Sequence, residues 1–210
     1  MKKILICIGN GSVGKISIDI LKKKNVYKEI KIVNISKKIK KISFNNKIKK
    51  IKDKGVADII IGFANIKELK KNEEIFNILK NLNSNLINII HETAIIDKNT
   101  NFGKGIKVFP GAIVNRGCKI RNNVLINTGS IIEHNCTIGE HSQIATGCNL
   151  AGNVKVGKLT LIGAGSTVIQ GVKIGKNCII GAGSVVIKNV PPNSTYFGSP
   201  AKKKNEKKKN

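Results

Sequence analysis

A histidine and a glycine in the middle of the chain have the chemistry of an acyl-transfer centre. The segment EHNCTIG (residues 133–139) places the imidazole of His134, a side chain that titrates near neutral pH, among small and aliphatic residues. Gly152 follows 18 residues later, in the segment AGNVKVG (151–157). A histidine can take the proton from an attacking amine or hydroxyl, and a backbone N–H can stabilise the developing oxyanion. The pair can act together only if the fold brings the two residues side by side.

A six-residue repeat predicts the element that brings them together. Every sixth residue from Ile96 to Val186 is aliphatic or Phe, and the residue two positions before each is mostly small. This period fits neither a helix nor strand alternation, whereas it fits a β-solenoid with three flat sides and 18 residues per coil. Residues 94–188 then form about five coils, stacked about 4.8 Å apart. His134 and Gly152 are therefore expected on the same face of successive coils.

The register of the repeat accounts for four of the five cysteines. Cys118, Cys136, Cys148 and Cys178 occupy the small-residue position, and Cys7 lies in the first predicted strand, so we expect all five to be buried and none to be the nucleophile. Cys118 and Cys136 are one coil apart and could approach disulfide distance. In a reducing cytoplasm we expect them to remain thiols.

The three histidines differ in their relation to the repeat. His134 lies two residues after Ile132, outside both interior sets, so the repeat does not require it as a core residue. His141 falls at a predicted corner, where we expect a surface side chain. His91 precedes the repeat and is interpreted as structural. The three positions do not converge on one surface, so we expect no zinc site and no other metal.

The first 88 residues predict a small α/β domain with a parallel, Rossmann-like sheet. Strands are expected at KKILICI (2–8), EIKIVNI (29–35) and DIIIGFA (58–64), with helices over residues 13–24 and 66–82. Residues 37–54 carry nine lysines and are predicted to form a mobile loop or an irregular basic hairpin.

A glycine-rich turn follows the first predicted strand. The segment GNGSVG (9–14) stands where backbone N–H groups of a helix N-terminus can meet a phosphate. A dinucleotide fold should also place an acidic residue after the second strand, but that strand ends in VNIS (33–36), which argues against NAD. A phosphate or nucleotide cradle and a purely structural turn both stay open.

The formal charge of +26 is a weak indication of nucleic-acid binding. Of the 38 basic residues only Arg116 and Arg121 are arginine, the residue favoured for reading bases, and aromatic residues are scarce. The charge favours small anions such as nucleotides or coenzyme A. The sequence shows no signal peptide and no apolar run of about 20 residues. We expect a cytoplasmic protein without a nucleic-acid or membrane partner.

The order of a short α/β domain and a hexapeptide solenoid resembles one family across nearly the whole chain. It is the sialic-acid O-acetyltransferase (NeuD-type) and UDP-4-amino-sugar N-acetyltransferase (PglD-type) family of hexapeptide-repeat acyltransferases. EHNCTIG, AGNVKVG and the C-terminal GSPAK (198–202) match its motifs. The resemblance implies a left-handed parallel β-helix, a homotrimer, and acetyl-CoA bound between neighbouring solenoids. It implies a nucleotide-sugar-binding domain at 1–88, an acyltransferase domain at 89–202 and a disordered basic tail at 203–210.

The resemblance also implies roles for individual residues. His134 is the general base, the Gly152 amide faces the thioester, and Asn135 stands where the family often has an acidic residue that orients the imidazole. The residues implied for the acceptor substrate are Asn10, Gly11, Ser12, Gly62, Asn127 and Glu133, and those for acetyl-CoA are Gly152, Ala164, Gly165, Ala182 and Lys202.

The implied reaction is acetyl transfer from acetyl-CoA to the amino group of a nucleotide-activated sugar. O-acetylation of a sialic-acid-like sugar stays open, because one base and one oxyanion donor serve an amine and a hydroxyl equally. A non-enzymatic trimeric scaffold is the alternative of another class.

Overall fold

The chain divides into two compact units, Met1–Ile89 and Ile90–Asn210. The computed structural model describes residues 3–35, 41–53, 55–64 and 69–204. No helix among these residues is long and apolar enough to span a membrane.

The first unit is a four-stranded parallel sheet, called sheet A, with three helices. Its strands are β1 (Lys3–Ile8), β2 (Tyr27–Val33), β3 (Ala57–Ile61) and β4 (Asn85–Leu86), in the order β2-β1-β3-β4. Its helices are α1 (Ser12–Lys22), α2 (Lys41–Lys52) and α3 (Leu69–Asn81). The apolar runs of β1 and β3 are buried along almost their whole length, as is typical of inner strands of a covered parallel sheet. The predicted α/β domain is confirmed.

The lysine-rich segment between β2 and β3 forms a helix, so the expected loop or hairpin is wrong. Phe44, Ile48 and Ile51 follow one another at intervals of four and three residues, which places them on one helix face. All three are buried in the core of the first unit. The lysine count concealed this apolar face. Residues 36–40 and 54 lie outside the described part of the chain.

A buried carboxylate connects all four strands of the first unit. Asp58 on β3 is 3% exposed, and its Oδ1 accepts a hydrogen bond from Asn85 Nδ2 at 2.6 Å. Its Oδ2 accepts one from the Tyr27 hydroxyl at 2.9 Å and lies 3.4 Å from Lys3 Nζ. Burial and the neighbouring carboxylate raise the pKa of Tyr27 well above its usual value. This network is structural.

Asp58→Ala is expected to destabilise the first unit by about 1–3 kcal/mol, because it removes the buried carboxylate that accepts hydrogen bonds from the partly buried Tyr27 and the exposed Asn85. Tyr27→Phe removes one neutral donor and should cost about 1 kcal/mol. Amide hydrogen exchange of β1 and β3 measures both changes. If Asp58→Ala lowers the stability of the first unit no more than Tyr27→Phe does, Asp58 is not the centre of a structural network.

The second unit is a parallel β-solenoid built from two-residue strands. Its strands are β5 (Ile89–Ile90), β6 (Ile95–Ile96), β7 (Asn101–Phe102), β8 (Lys107–Val108), β9 (Ile113–Val114), β10 (Lys119–Ile120), β11 (Leu125–Ile126), β12 (Ile131–Ile132), β13 (Thr137–Ile138), β14 (Gln143–Ile144), β15 (Asn149–Leu150), β16 (Lys155–Val156), β17 (Leu161–Ile162), β18 (Thr167–Val168), β19 (Lys173–Ile174), β20 (Ile179–Ile180), β21 (Val185–Val186), β22 (Thr195–Phe197) and β23 (Lys202–Lys203).

These strands form three sheets, one on each side of the solenoid. Sheet B contains β5, β8, β11, β14, β17, β20, β22 and β23; sheet C contains β6, β9, β12, β15, β18 and β21; sheet D contains β7, β10, β13, β16 and β19. Paired residues are 18 apart, as in Ile126 with Ile144 and Ile144 with Ile162. The predicted coil length is therefore confirmed.

The interior of the solenoid is the predicted one. The aliphatic set is fully buried from Val108 to Val186, and the cysteines of the small set are buried beside it as free thiols. The thiols of Cys118 and Cys136 donate to the carbonyls of Glu133 and Ala151, each 15 residues further on. Ser130, Ser142 and Ser166 donate in the same way. The side chain at the small-residue position thus donates a hydrogen bond to a backbone carbonyl on the same corner of the next coil. The cysteines at this position are therefore structural.

The corners contain a residue in the left-handed backbone conformation. Between sheets B and C this residue is glycine from Gly111 to Gly183, whereas between sheets D and B it is Gly105, Asn123, His141, Leu159 and Asn177 in successive coils. His141 has φ of 60°, is 4% exposed, and its Nδ1 lies 3.1 Å from Asn123 Nδ2 one coil earlier. The expectation of a surface His141 is therefore wrong, because its side chain is buried against the coil before it.

The C-terminal segment closes sheet B. β23 pairs antiparallel with β22, and the Lys204 N–H donates to the Thr195 carbonyl. The predicted disordered tail from residue 203 is wrong for Lys203 and Lys204, which are held by these bonds. Residues 205–210 lie outside the described part.

Candidate active site

His134 lies on the corner between sheets C and D. β12 ends at Ile132, residues 133–136 form the turn, and β13 begins at Thr137. The side chain is exposed. The Asn153 N–H donates to the His134 carbonyl at 2.9 Å, so the next turn of the corner, 151–154, stacks directly on that of His134.

This stacking places the imidazole against Gly152. A Cβ atom built on Gly152 would lie 2.5 Å from both Nε2 and Cε1 of His134. Only glycine leaves room for the ring here. Gly152 itself is buried, and within the described residues its N–H donates to no protein group. The edge of the imidazole that carries Nε2 is therefore next to an available backbone donor, as an acyl-transfer site requires.

Asn135 supports the other edge of the ring. Its Nδ2 lies 3.2 Å from His134 Nδ1, and its Oδ1 lies over Gly117 of the preceding coil. Asn135 has φ of 60°, a conformation that asparagine tolerates better than most residues. The orientation of the Asn135 amide and the tautomer of His134 determine each other: Nδ2 faces an unprotonated Nδ1, and Oδ1 faces a protonated one. With Nδ1 protonated and the amide oxygen accepting from it, Nε2 is the free base.

Asn135→Gly is expected to lower kcat about tenfold, because it removes the group that orients the ring while keeping a residue suited to positive φ. Asn135→Asp should retain activity and move the acidic limb of the pH–rate profile to higher pH, because a carboxylate favours the imidazolium. Steady-state rates between pH 5 and 9 test both variants. An unchanged profile for Asn135→Asp together with full activity for Asn135→Gly would contradict the positioning role.

Glu133 lies on the corner of His134 and Gly152, whereas three other residues predicted for acetyl-CoA lie on a different corner. Glu133 shares the turn of His134 and is partly exposed. Ala164, Gly165 and Ala182 are exposed on the corner between sheets B and C, across sheet C from His134. Asn127 lies on that same second corner, where its Oδ1 accepts a hydrogen bond from the Thr128 N–H. One chain therefore does not bring these residues to the base.

Lys202 lies in β23, paired with Phe197 of β22, and its side chain is exposed. It belongs to the terminal part of sheet B. Its proposed contact with coenzyme A stays a prediction.

The glycine turn of the first unit has a packing role. A Cβ on Gly62 would lie 2.5 Å from Cys7 Sγ, and one on Gly14 would lie 2.8 Å from the Gly62 carbonyl oxygen. These glycines let α1 approach the ends of β1 and β3. Asn10, Gly11 and Ser12 are exposed, and α1 begins at Ser12 without a side-chain cap on its first N–H groups. Both readings of the turn, packing and anion binding, are therefore compatible with its structure.

Arg116 was not identified from the sequence as a neighbour of His134. Arg116 lies one coil before His134 on the same corner, because the Asn135 N–H donates to the Arg116 carbonyl at 2.8 Å. The 18-residue spacing would have identified it.

In the described ranges, no group of three His, Cys, Asp or Glu side chains could hold a metal ion.

Known proteins share this architecture. The profile of the bacterial transferase hexapeptide family (six repeats) matches residues 117–152 and 153–188, which include His134 and Gly152. Both matched segments lie within the β-solenoid. A search of curated proteins found no match.

Three solved structures of hexapeptide-repeat acyltransferases are similar over both units. A variant of the GDP-perosamine N-acetyltransferase of Caulobacter crescentus, in complex with CoA and GDP-perosamine, has a TM-score of 0.86 and 25% identity, covering 96% of this chain and 97% of that one. The acetyltransferase domain of PglB from Neisseria gonorrhoeae FA1090 has a TM-score of 0.85 and 24% identity (96% and 99% covered). Its complex with acetyl coenzyme A has a TM-score of 0.80 and 25% identity (97% and 100%). The predicted fold class, a small α/β domain followed by a parallel β-helix, is confirmed.

Proposed function

We propose that this protein transfers an acetyl group from acetyl-CoA to the amino group of a nucleotide-activated sugar. The observation that carries the proposal is the contact of the Nε2 edge of His134 with Gly152, whose N–H has no acceptor in the described residues. The Caulobacter enzyme is described as an N-acetyltransferase in complex with CoA and GDP-perosamine, and the Neisseria domain was solved with acetyl coenzyme A. Their similarity supports the same donor and the same acceptor class here.

The site can perform the reaction in two steps. His134 Nε2 takes a proton from the acceptor amine as the nitrogen attacks the thioester carbonyl carbon. The Gly152 N–H donates to the oxygen that becomes negatively charged. The C–S bond then breaks, the carbonyl reforms as an amide, and the proton held by the imidazole passes to the thiolate of coenzyme A. His134 is thereby returned to its neutral form.

The N-terminus of α1 supports a phosphate-bearing acceptor. The exposed turn Asn10-Gly11-Ser12 precedes uncapped N–H groups, which bind anions well. The residue after β2 is Asn34, which is not acidic and so does not supply the ribose contact of an NAD site. This unit therefore fits a nucleotide-sugar better than a dinucleotide.

A homotrimer would complete the site. The outer face of sheet C is mostly apolar and partly open: Ile95 is 64% exposed, Ile113, Ile131 and Val185 are half-buried, and Asn149 and Thr167 are the polar members. Sheet C separates the corner of His134 from the corner of Ala164 and Ala182. If three chains turn sheet C toward a common axis, the two corners of neighbouring chains meet, and acetyl-CoA can contact both sets of residues. Sedimentation of wild type and Ile131→Lys tests this arrangement, and a monomeric wild type would contradict it.

The five free thiols are compatible with a reducing compartment, and we place the reaction in the cytoplasm.

The experiment that tests the proposed function is a thiol-release assay over a panel of acceptors. Acetyl-CoA is incubated with UDP- and GDP-linked 4-amino sugars, the corresponding 4-hydroxy nucleotide sugars, and sialic acid. Thiol release with the amino sugars alone is expected. Release with sialic acid alone would replace the proposal by O-acetylation, and acetyl-CoA binding without release by any acceptor would contradict both reactions.

A further inference from the structure

The corner that carries His134 continues into two cations on the side away from Gly152. Arg116 lies one coil before His134, and Lys98 lies one coil before Arg116, so the three side chains follow one another at the coil spacing of about 4.8 Å. The hydrogen bond from Asn135 N–H to the Arg116 carbonyl fixes the stacking of the Arg116 turn on that of His134. Arg116 and Lys98 are both exposed.

The charges of this column are available to a ligand. Within the described residues, neither the Arg116 guanidinium nor the Lys98 ammonium forms an ion pair or a side-chain hydrogen bond. Two carboxylates lie on the adjacent column, Asp97 and Glu133, but Asp97 accepts hydrogen bonds from Asn99 instead. Among the residues that the structure describes, no carboxylate therefore forms an ion pair with Arg116.

The type of residue is as informative as its place. Arg116 is one of two arginines among 38 basic residues. A guanidinium offers a planar fork of donors that matches a phosphoryl group or a carboxylate, whereas lysine offers a point charge. The other arginine, Arg121, follows β10 on sheet D and lies off this corner.

We propose that Arg116 is a specificity-determining residue, which binds an anionic group of the acceptor, and that Lys98 reinforces its field. This inference rests on the proposed function. The acceptor lies on the Arg116 side of His134, and the thioester lies on the Gly152 side. His134 thus stands between its two substrates along a single corner. A phosphoryl group of a nucleotide sugar and a carboxylate of an acidic sugar have the chemistry that Arg116 recognises.

The test compares charged and uncharged acceptors in four proteins: wild type, Arg116→Gln, Arg116→Lys and Arg121→Gln. The acceptors are a UDP-linked 4-amino sugar, the methyl glycoside of the same amino sugar, sialic acid and its methyl ester. Arg116→Gln is expected to raise KM for the anionic acceptor about tenfold or more, equivalent to about 1.4 kcal/mol, with little change in the KM of acetyl-CoA. Arg116→Lys should recover part of the loss, and Arg121→Gln should behave as wild type.

Selectivity for charge decides the outcome. The uncharged acceptor should react equally with wild type and Arg116→Gln, and the pair of acceptors that shows the difference identifies phosphate or carboxylate. Equal acceptor KM values for Arg116→Gln and Arg121→Gln would overturn the role of Arg116 but not the proposed function. A loss of activity that is the same for charged and uncharged acceptors would have the same consequence. A wild type that uses none of the acceptors would overturn the proposed function and this inference with it.

Discussion

His134→Ala is expected to lower kcat for acetyl transfer by about 10³-fold, the middle of the range for loss of a general base. The side chain is exposed and lies outside the solenoid interior, so its removal should leave the coils intact. Since the base acts on the acceptor, the affinity for acetyl-CoA should change little. Thiol release under saturating substrates, with acetyl-CoA binding measured by calorimetry, tests both statements.

His91→Ala is the matched control. His91 is only partly buried, and its Nδ1 contacts Thr93 Oγ1 at 2.8 Å, away from the corner of His134. This variant should retain the wild-type rate. If His134→Ala keeps more than about a tenth of wild-type kcat, well short of the loss typical for a general base, His134 is not that base.

Gly152→Ala is expected to lower kcat by about 10²–10³-fold, comparable to the loss of an oxyanion-hole donor. The added methyl group would lie 2.5 Å from the imidazole, so the ring must leave its position against Gly152. Gly152 does not have a positive φ, so alanine suits its backbone. The fold should therefore survive, and the loss should appear in kcat. Steady-state kinetics and the melting temperature together measure this.

Gly111→Asn provides the corresponding control on another corner. Gly111 has φ of 67° with no atom closer than 4.0 Å to an added Cβ, and asparagine occupies left-handed corner positions elsewhere, as at Asn153. Near wild-type kinetics are expected. A Gly152→Ala enzyme as active as Gly111→Asn would show that the contact with His134 does not serve catalysis.

The solenoid could be predicted from the sequence because its interior follows a strict period. Each coil must bury one aliphatic and one small residue per side, so an 18-residue step fixes which residues stack. The neighbourhood of His134 and Gly152 follows from this step alone. Arg116 follows from the same step, although its role depends on charges that only the side-chain contacts reveal.

Three features could not be predicted from the six-residue period, because they depend on contacts outside it. The three apolar residues of α2 are outnumbered by lysines, so composition indicated a loop where burial of one face stabilises a helix. His141 occupies a corner position like Asn135, but a stack on Asn123 buries it. Of the residues predicted for acetyl-CoA, Ala164, Gly165 and Ala182 lie on a second corner of the same chain, so their relation to His134 depends on an arrangement of several chains.

The most direct test of the central claim is the structure of the product. Wild type is incubated with acetyl-CoA carrying a carbon-13 label in the acetyl carbonyl and with a UDP-linked 4-amino sugar, and the product is examined by NMR. The account predicts that the labelled carbon couples to the amide proton of the sugar nitrogen, and that His134→Ala forms none of this product. A label found in an ester of a sugar hydroxyl, or an amide formed equally well by His134→Ala, would contradict it.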